Sequence, residues 1–239
     1  YRVPEGEKLA DRLCAASFAD TVFFANSGAE AMECVIKMVR KYQSACGRPE
    51  RFRILTFEGS FHGRSTGAIA ASGSEKMTKG FGPLMPGFKS LPWGDAEALN
   101  AALDDTVAAV LVEPIQGEGG IAPADIAYMI ALRDTCDEFG LLLIYDEVQC
   151  CVGRTGKLFA HQWADGKADP DLIAVAKGIG GGFPIGCFMG TKAAMAGFSA
   201  GMHGTTYGGN PLGTRIGCAV MDVIMEPGFL ETVYAKSNR

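Results

Sequence analysis

The chain has 239 residues, enough for one large domain or two small ones. With 48% apolar and 21% charged residues it can bury a full globular core, and a net charge of −5 gives no reason to expect nucleic acid or an anionic membrane as partner. No run approaches the roughly 18 apolar residues of a membrane span, and the opening Tyr1-Arg2-Val3-Pro4-Glu5-Gly6-Glu7 does not read as a signal peptide.

The predicted elements alternate. Thr21–Ala25 reads as a strand, and Ala29–Cys46 as a helix with apolar residues at helical spacing. Phe52–Phe57 is a strand followed by a Gly/Ser-rich turn. Gly73 to Asp95, rich in Gly and Pro, reads as a long excursion rather than a regular element. Val107–Val112 is a strand, Ala124–Phe139 a helix and Leu141–Tyr145 a strand. Leu172–Ala176 and Ile185–Met189 are further strands, and Gly213–Met225 is a helix. This order predicts an α/β fold: a mixed, mostly parallel sheet with helices on both faces. The link from Lys177 to Ile185 is too short for a helical crossover, so that pair of strands is expected to be antiparallel. No internal repeat or low-complexity segment is visible, and one domain is the simplest reading. The eight cysteines show no C-x-x-C zinc spacing, and adjacent Cys150 and Cys151 are poorly placed for an unstrained disulfide. Free thiols in a reducing cytosol, with no metal site, are expected.

In open α/β sheets, ligands bind beyond the carboxyl ends of the strands. The polar residues collect there: Asn26-Ser27-Gly28 after the first strand, Glu58 to His62 after the second, Glu113 after the third, Asp146-Glu147 after the fourth and Lys177 after the fifth. Lys177 is the most informative. An apolar strand ends at one lysine, and Gly178, Gly180, Gly181 and Gly182 follow it. That setting suits an amine that forms a Schiff base with an aldehyde cofactor. A lysine together with Asp146, which can pair with a pyridinium nitrogen, is the protein side of pyridoxal phosphate chemistry.

The remaining candidates each carry two readings. Ser27-Gly28-Ala29 at a helix start can receive a phosphate on backbone N–H groups. Equally, Ser27 can simply cap the helix, with Glu30 as the reciprocal partner of a capping box. Phe61 can stack on a flat ring and Arg64 can clamp a carboxylate bidentately, or the pair can be a core phenylalanine and a solvated arginine. Asp146 and Glu113 follow buried strands, where a carboxylate needs a partner; a structural cap or ion pair would also serve. The loop His203 to Pro211 can donate hydrogen bonds to an anion or be an ordinary turn. The glycines from Gly178 to Gly182 do not make a dinucleotide-binding site, because Phe183-Pro184 breaks any helix after them.

Six stretches, in order along nearly the whole chain, resemble class III aminotransferases of fold type I. They are Asn26–Ala31, Phe61–Arg64, Val112–Gly120, Asp146–Gln149 with Gly153-Arg154-Thr155-Gly156, Ala176–Gly182, and His203–Leu212. The resemblance implies pyridoxal 5′-phosphate as cofactor. Lys177 would form the Schiff base and Asp146 would pair with the pyridine nitrogen. Phe61 and Val148 would cover the two ring faces, and Gln149 would lie near the ring hydroxyl. Ser27, Gly28 and Ala29 would bind the phosphate, and Thr206 would reach the phosphate of a neighbouring subunit. Arg64 would hold the substrate α-carboxylate, Thr205 would lie near the neighbour's substrate, and Glu118 would govern access of an arginine. By resemblance the enzyme is a cytoplasmic homodimer with shared sites. It would move an amino group from N-acetylornithine to the 2-oxo acid 2-oxoglutarate in arginine biosynthesis. Ornithine, 4-aminobutyrate and succinyl-diaminopimelate are alternative donors, and a non-catalytic cofactor-binding or oligomerisation module is an alternative of another class.

Two departures stand out. Cys150-Cys151 replaces the family's more usual Thr-Gly, and Met32 stands where a smaller or polar residue is common. The chain is also short for the family. Residues 1–239 are therefore expected to be the large cofactor domain, with the family's small domain largely absent.

Overall fold

The computed structural model describes residues 2–237. Helix α1 (Pro4–Ala15) leads to β1 (Thr21–Ala25) and α2 (Gly28–Ala45), then β2 (Arg53–Phe57) and two short helices, α3 (Thr66–Ser72) and α4 (Glu75–Thr78). Next come β3 (Phe88–Leu91), α5 (Ala96–Ala101), β4 (Val107–Val112), and a small hairpin of β5 (Ile115–Gln116) and β6 (Ala122–Pro123). Helix α6 (Ile126–Phe139) precedes β7 (Leu142–Asp146), a 3₁₀ turn at Ala160–Ala164, β8 (Leu172–Val175), a second 3₁₀ turn at Lys177–Gly180, and β9 (Gly186–Gly190). Helices α7 (Pro211–Ile224) and α8 (Phe229–Ser237) follow.

Seven strands form one sheet in the order β1-β9-β8-β7-β4-β2-β3. Strand β9 is antiparallel to both its neighbours, and the other pairings are parallel, so β1 runs the same way as β8, β7, β4, β2 and β3. The short Lys177–Ile185 link therefore returns antiparallel, as its length requires.

Continuous apolar strands are what a sheet covered on both faces demands. Side-chain alternation divides each strand between two cores. Val110, Val112, Leu143, Tyr145, Ile173 and Val175 pack on one face with Leu9, Leu13, Leu132 and Met221 from α1, α6 and α7. Ala109, Leu111, Leu142, Ile144, Leu172 and Ala174 pack on the other against Met32, Val35, Ile36 and Val39 of α2.

The Gly/Pro-rich stretch after Gly73 is not wholly irregular. Phe88–Leu91 pairs parallel with β2 as the edge strand, in register Ile54↔Phe88 to Phe57↔Leu91. Four residues including a lysine carry almost no periodicity, and short charged edge strands are a common way to close a sheet. Helix α1 was also not anticipated, although Pro4 sits in its first turn and Leu9 and Leu13, four residues apart, are fully buried.

Candidate active site

Strand β8 ends at Val175, and the chain then turns sharply. Lys177 takes a left-handed backbone, φ +47°, at the head of the 3₁₀ turn Lys177–Gly180. A non-glycine residue in that region costs on the order of 1 kcal/mol or more, and such residues concentrate at functional sites. The turn lifts the lysine off the strand, so its side chain is exposed and its Nζ donates a hydrogen bond to Gln149 Oε1.

One strand away, β7 delivers Asp146 to the same edge. The strand's alternation separates the two adjacent carboxylates. Asp146 faces the cavity side: Oδ1 accepts the Val148 N–H at 3.1 Å, and Oδ2 lies 2.9 Å from His62 Nδ1. Glu147 is fully buried and turns away, accepting from the N–H of Ala160 (2.6 Å), the N–H of His161 (2.9 Å) and the His161 ring Nδ1 (2.8 Å). Glu147 thus anchors the Asp146–Gln149 turn to the Ala160–Ala164 segment.

The start of α2 supplies a third component. Ser27 caps the helix by accepting the Glu30 N–H at 3.2 Å. The expected capping box is only half made. The Glu30 carboxylate bonds the Asn26 N–H (3.0 Å) and the Thr205 hydroxyl (3.1 Å) instead of the Ser27 N–H. Burial works against the charge of Glu30, but these bonds outweigh it and hold its carboxyl below the ordinary range. The first amides of a helix have no intrahelical acceptor, and here Gly28 and Ala29 line the cavity. At Gly28 the approach is tight: a Cβ would stand 2.9 Å from Val148 Cγ1.

The turn after β2 brings Phe61, His62 and Arg64 to the same cavity. Arg64 is exposed, with its Cζ 5.5 Å from the centre of the Phe61 ring. Glu113, at the end of β4, is 3% exposed and receives the Phe61 N–H at 2.8 Å and the Gly117 N–H at 3.4 Å. Burial pushes Glu113 up to about 7. The His62 and backbone N–H groups oppose the rise, and Asp146 adds to it.

The cavity that gathers these groups measures about 1050 Å³. Ser27, Gly28, Ala29, Phe61, Arg64, Glu118, Asp146, Val148, Gln149 and Lys177 all line it. Thr205 and Thr206 do not. Thr205 is occupied by Asn26 and Glu30, and Thr206 is exposed on the loop before α7. Within one chain, then, the two threonines stand apart from the other ten.

Two functional features escaped the sequence reading. The pairing of His62 with Asp146 joins residues 84 apart in sequence, and no local pattern announces it. The sequence around Glu113 fits a cap, an ion pair or a site residue, and only the fold shows the loops it joins. The Cys150-Cys151 departure is accommodated in the core. Both thiols are buried, which pushes them far up, and Cys151 Sγ donates to the Ala176 carbonyl at 3.5 Å. Among the described residues no cysteine is paired, and no cluster of three or more His, Cys, Asp or Glu could hold a metal ion.

The site can do a recognisable set of things. An exposed amine and a buried carboxylate line one cavity, together with a helix start and a guanidinium. The Asp146 oxygen engaged by His62, the free amides of Gly28 and Ala29, and the absence of room at Gly28 fit a flat, cationic-nitrogen heterocycle bearing a phosphate.

Comparison with known proteins agrees. The acetylornithine aminotransferase of Rhodobacter capsulatus is 60% identical over 238 residues, covering 100% of this chain and 60% of the relative. That of Brucella melitensis biotype 1 is 57% identical over 235 residues, covering 98% of this chain and 58% of the relative. The chain therefore spans about 60% of the length of these relatives. The crystal structure of N-acetylornithine aminotransferase from Stenotrophomonas maltophilia K279a superimposes with a TM-score of 0.81 at 36% identity, covering 100% of this chain and 57% of that one. A transaminase from the marine bacterium Virgibacillus superimposes at 0.91 with 26% identity, covering 97% of this chain and 56% of that one. The family model "Aminotransferase class-III" matches residues 2–239, and the chain belongs to the class III aminotransferases.

Proposed function

We propose that the protein to which this chain belongs is a pyridoxal-phosphate-dependent aminotransferase that moves an amino group from N-acetylornithine to 2-oxoglutarate, in arginine biosynthesis. The observation that carries the reading is the placement of Lys177 and Asp146. They stand at the carboxyl ends of neighbouring parallel strands and face one cavity that also holds the start of α2. The substrate assignment is supported by the 57–60% identity to proteins named acetylornithine aminotransferase, against 30% to the solved ornithine aminotransferase of Toxoplasma gondii.

When bound, pyridoxal phosphate would supply an aldehyde that condenses with amines and an electron-poor ring that spreads the charge left at the substrate carbon. The chain's own residues do the rest. Lys177 Nζ would hold the group and, as an amine, would be the base that moves the proton of the substrate carbon. Gln149 Oε1 accepts from Lys177 Nζ and so orients it. Asp146 would hold the ring nitrogen, with its carboxylate oriented by His62 on one oxygen and by the Val148 N–H on the other. The Gly28 and Ala29 amides, with Ser27, take the phosphate. Phe61 and Val148 confine the ring, and Arg64 with its planar two-donor fork takes the substrate carboxylate. Glu118 at the rim governs arginine access.

Residues 1–239 would then be the large cofactor domain of a longer chain. The protein would work as a cytoplasmic homodimer, in which Thr205 and Thr206 serve the neighbour's site. The exposure of Thr206 outside its own cavity supports this, and no helix among the described residues is long and apolar enough to cross a membrane.

The test is turnover by the purified full-length protein with 2-oxoglutarate and each of N-acetylornithine, ornithine, 4-aminobutyrate and succinyl-diaminopimelate. The highest kcat/KM is expected for N-acetylornithine, together with visible absorbance from the bound cofactor. A higher value for another donor moves the substrate assignment. No turnover and no visible band overturns the reading.

A further inference from the structure

Glu113 has a position that the reaction does not use directly. It ends β4 before Pro114, is almost wholly buried, and is neither the lysine nor the carboxylate at the ring nitrogen. Its two oxygens point to two different loops. Oε1 accepts the N–H of Phe61, in the turn that goes on to His62 and Arg64; Oε2 accepts the N–H of Gly117, in the turn that goes on to Glu118. Each loop thus has a backbone amide tied to one side chain, one or a few residues from a charged group at the cavity's rim.

We propose that Glu113 is a positioning residue. It clamps the Phe61–Arg64 turn and the Gly117–Glu118 turn together, fixing the Arg64 guanidinium, which would take the substrate's carboxylate, relative to Glu118 at the rim. The inference rests on the proposed function for its substrate, but the clamp itself is a property of the chain. Neighbouring contacts make the role separable from folding. Gln116 Nε2 already ties the same turn one step earlier, donating to the Glu58 carbonyl at 2.9 Å. Loss of Glu113 therefore frees the Phe61–Arg64 stretch while β2, β4 and the Gln116 tether remain.

Above about pH 7, where Glu113 is ionised, it accepts at both oxygens, whereas a glutamine offers one acceptor and turns a donor toward the other amide. The two substitutions are thus graded. In the full-length holoenzyme, Glu113→Ala should lose hydrogen-exchange protection at both the Phe61 and Gly117 amides. Glu113→Gln should lose it at Gly117 and keep it at Phe61. Removing hydrogen bonds to a charged acceptor weakens the arrangement about tenfold, so KM for the amino substrate should rise about that much in Glu113→Ala and less in Glu113→Gln. The Kd for pyridoxal phosphate should rise less than the KM, since the freed turn carries one ring contact, Phe61, while Ser27, Gly28, Ala29, Asp146, Val148 and Lys177 stay in place.

Parent-like exchange at both amides in Glu113→Ala overturns the clamp. So does a fall in cofactor affinity as large as the rise in KM, because that would make Glu113 a general support of the fold. Should Glu113→Ala not fold, Glu113→Gln decides: selective loss at Gly117 supports the clamp, and unchanged exchange there overturns it. If the parent shows no transamination, the functional reading fails, and the exchange pattern alone still judges the clamp.

Discussion

His62 Nδ1 lies 2.9 Å from Asp146 Oδ2, the His62 side chain is fully buried, and its Nε2 has no hydrogen-bond partner among the described residues. A fully buried imidazole held against one carboxylate oxygen fixes the orientation of that carboxylate. His62→Phe, which keeps the ring's bulk, should therefore leave the fold and cofactor capture largely intact and lower kcat. A hydrogen bond to a charged group contributes about 1.5–3 kcal/mol, so the loss should be roughly tenfold to a hundredfold. Steady-state kinetics beside the visible spectrum of the bound cofactor checks this. A parent-level kcat would make the pairing decorative.

Lys177→Ala should abolish turnover, by about a thousandfold or more, because both the attachment point and the proton carrier are lost. Stability should change by less than about 0.5 kcal/mol. The lysine side chain is exposed, and alanine inherits the same left-handed backbone with the same strain. Borohydride reduction of the parent holoenzyme followed by peptide mapping should label Lys177. A label on any other lysine refutes the assignment.

The central strands that carry the chemistry were legible because each is buried on both faces and so reads as an unbroken apolar run ending at a polar residue. Val107–Val112 and Thr21–Ala25 match the structure residue for residue. What stayed hidden is what needs three dimensions. Phe88–Leu91 becomes a strand only because β2 offers an open edge. Nothing local pairs His62 with Asp146, or Glu113 with Phe61, since these contacts join the ends of different strands in a sheet whose order departs from chain order. The half-formed capping box at Ser27 shows the same limit. The local pattern fits, but Asn26 and Thr205 compete successfully for Glu30.

Gly28→Ala should weaken cofactor binding. The added Cβ would meet Val148 Cγ1 at 2.9 Å and Cγ2 at 3.1 Å. Either the helix start recedes from the phosphate or Val148 is driven toward the ring. Overpacking of this kind costs about 1–3 kcal/mol, which is roughly tenfold to a hundredfold in Kd. The clash can be isolated with the pair Gly28→Ala and Val148→Ala. The double variant should bind pyridoxal phosphate more tightly than the two single losses added together. Strict additivity, measured by cofactor titration, would mean the two residues do not compete for the same space.

The last prediction concerns pH. Burial raises the Glu113 carboxyl from 4.5 to about 7, so between those values the folded chain holds a proton that the unfolded chain has released. Stability then falls as pH rises through that interval. The contribution of Glu113 is fully present below about 4.5 and is lost as pH passes about 7. At 1.36 kcal/mol per unit the loss is on the order of 3 kcal/mol. Glu113→Gln has no proton to lose, so it isolates the effect. Chemical unfolding of parent and variant between about pH 5 and 8 should show the parent losing ground steadily relative to the variant. The neighbours predict the direction of further shifts. His62 pulls the Glu113 carboxyl down, so His62→Phe should raise its midpoint, whereas Asp146 pushes it up, so Asp146→Asn should lower it. Carbon-13 NMR of labelled glutamate follows each midpoint directly. Parallel stability curves, or an Asp146→Asn midpoint above the parent's, would mean that Glu113 is not coupled to the His62–Asp146 pair.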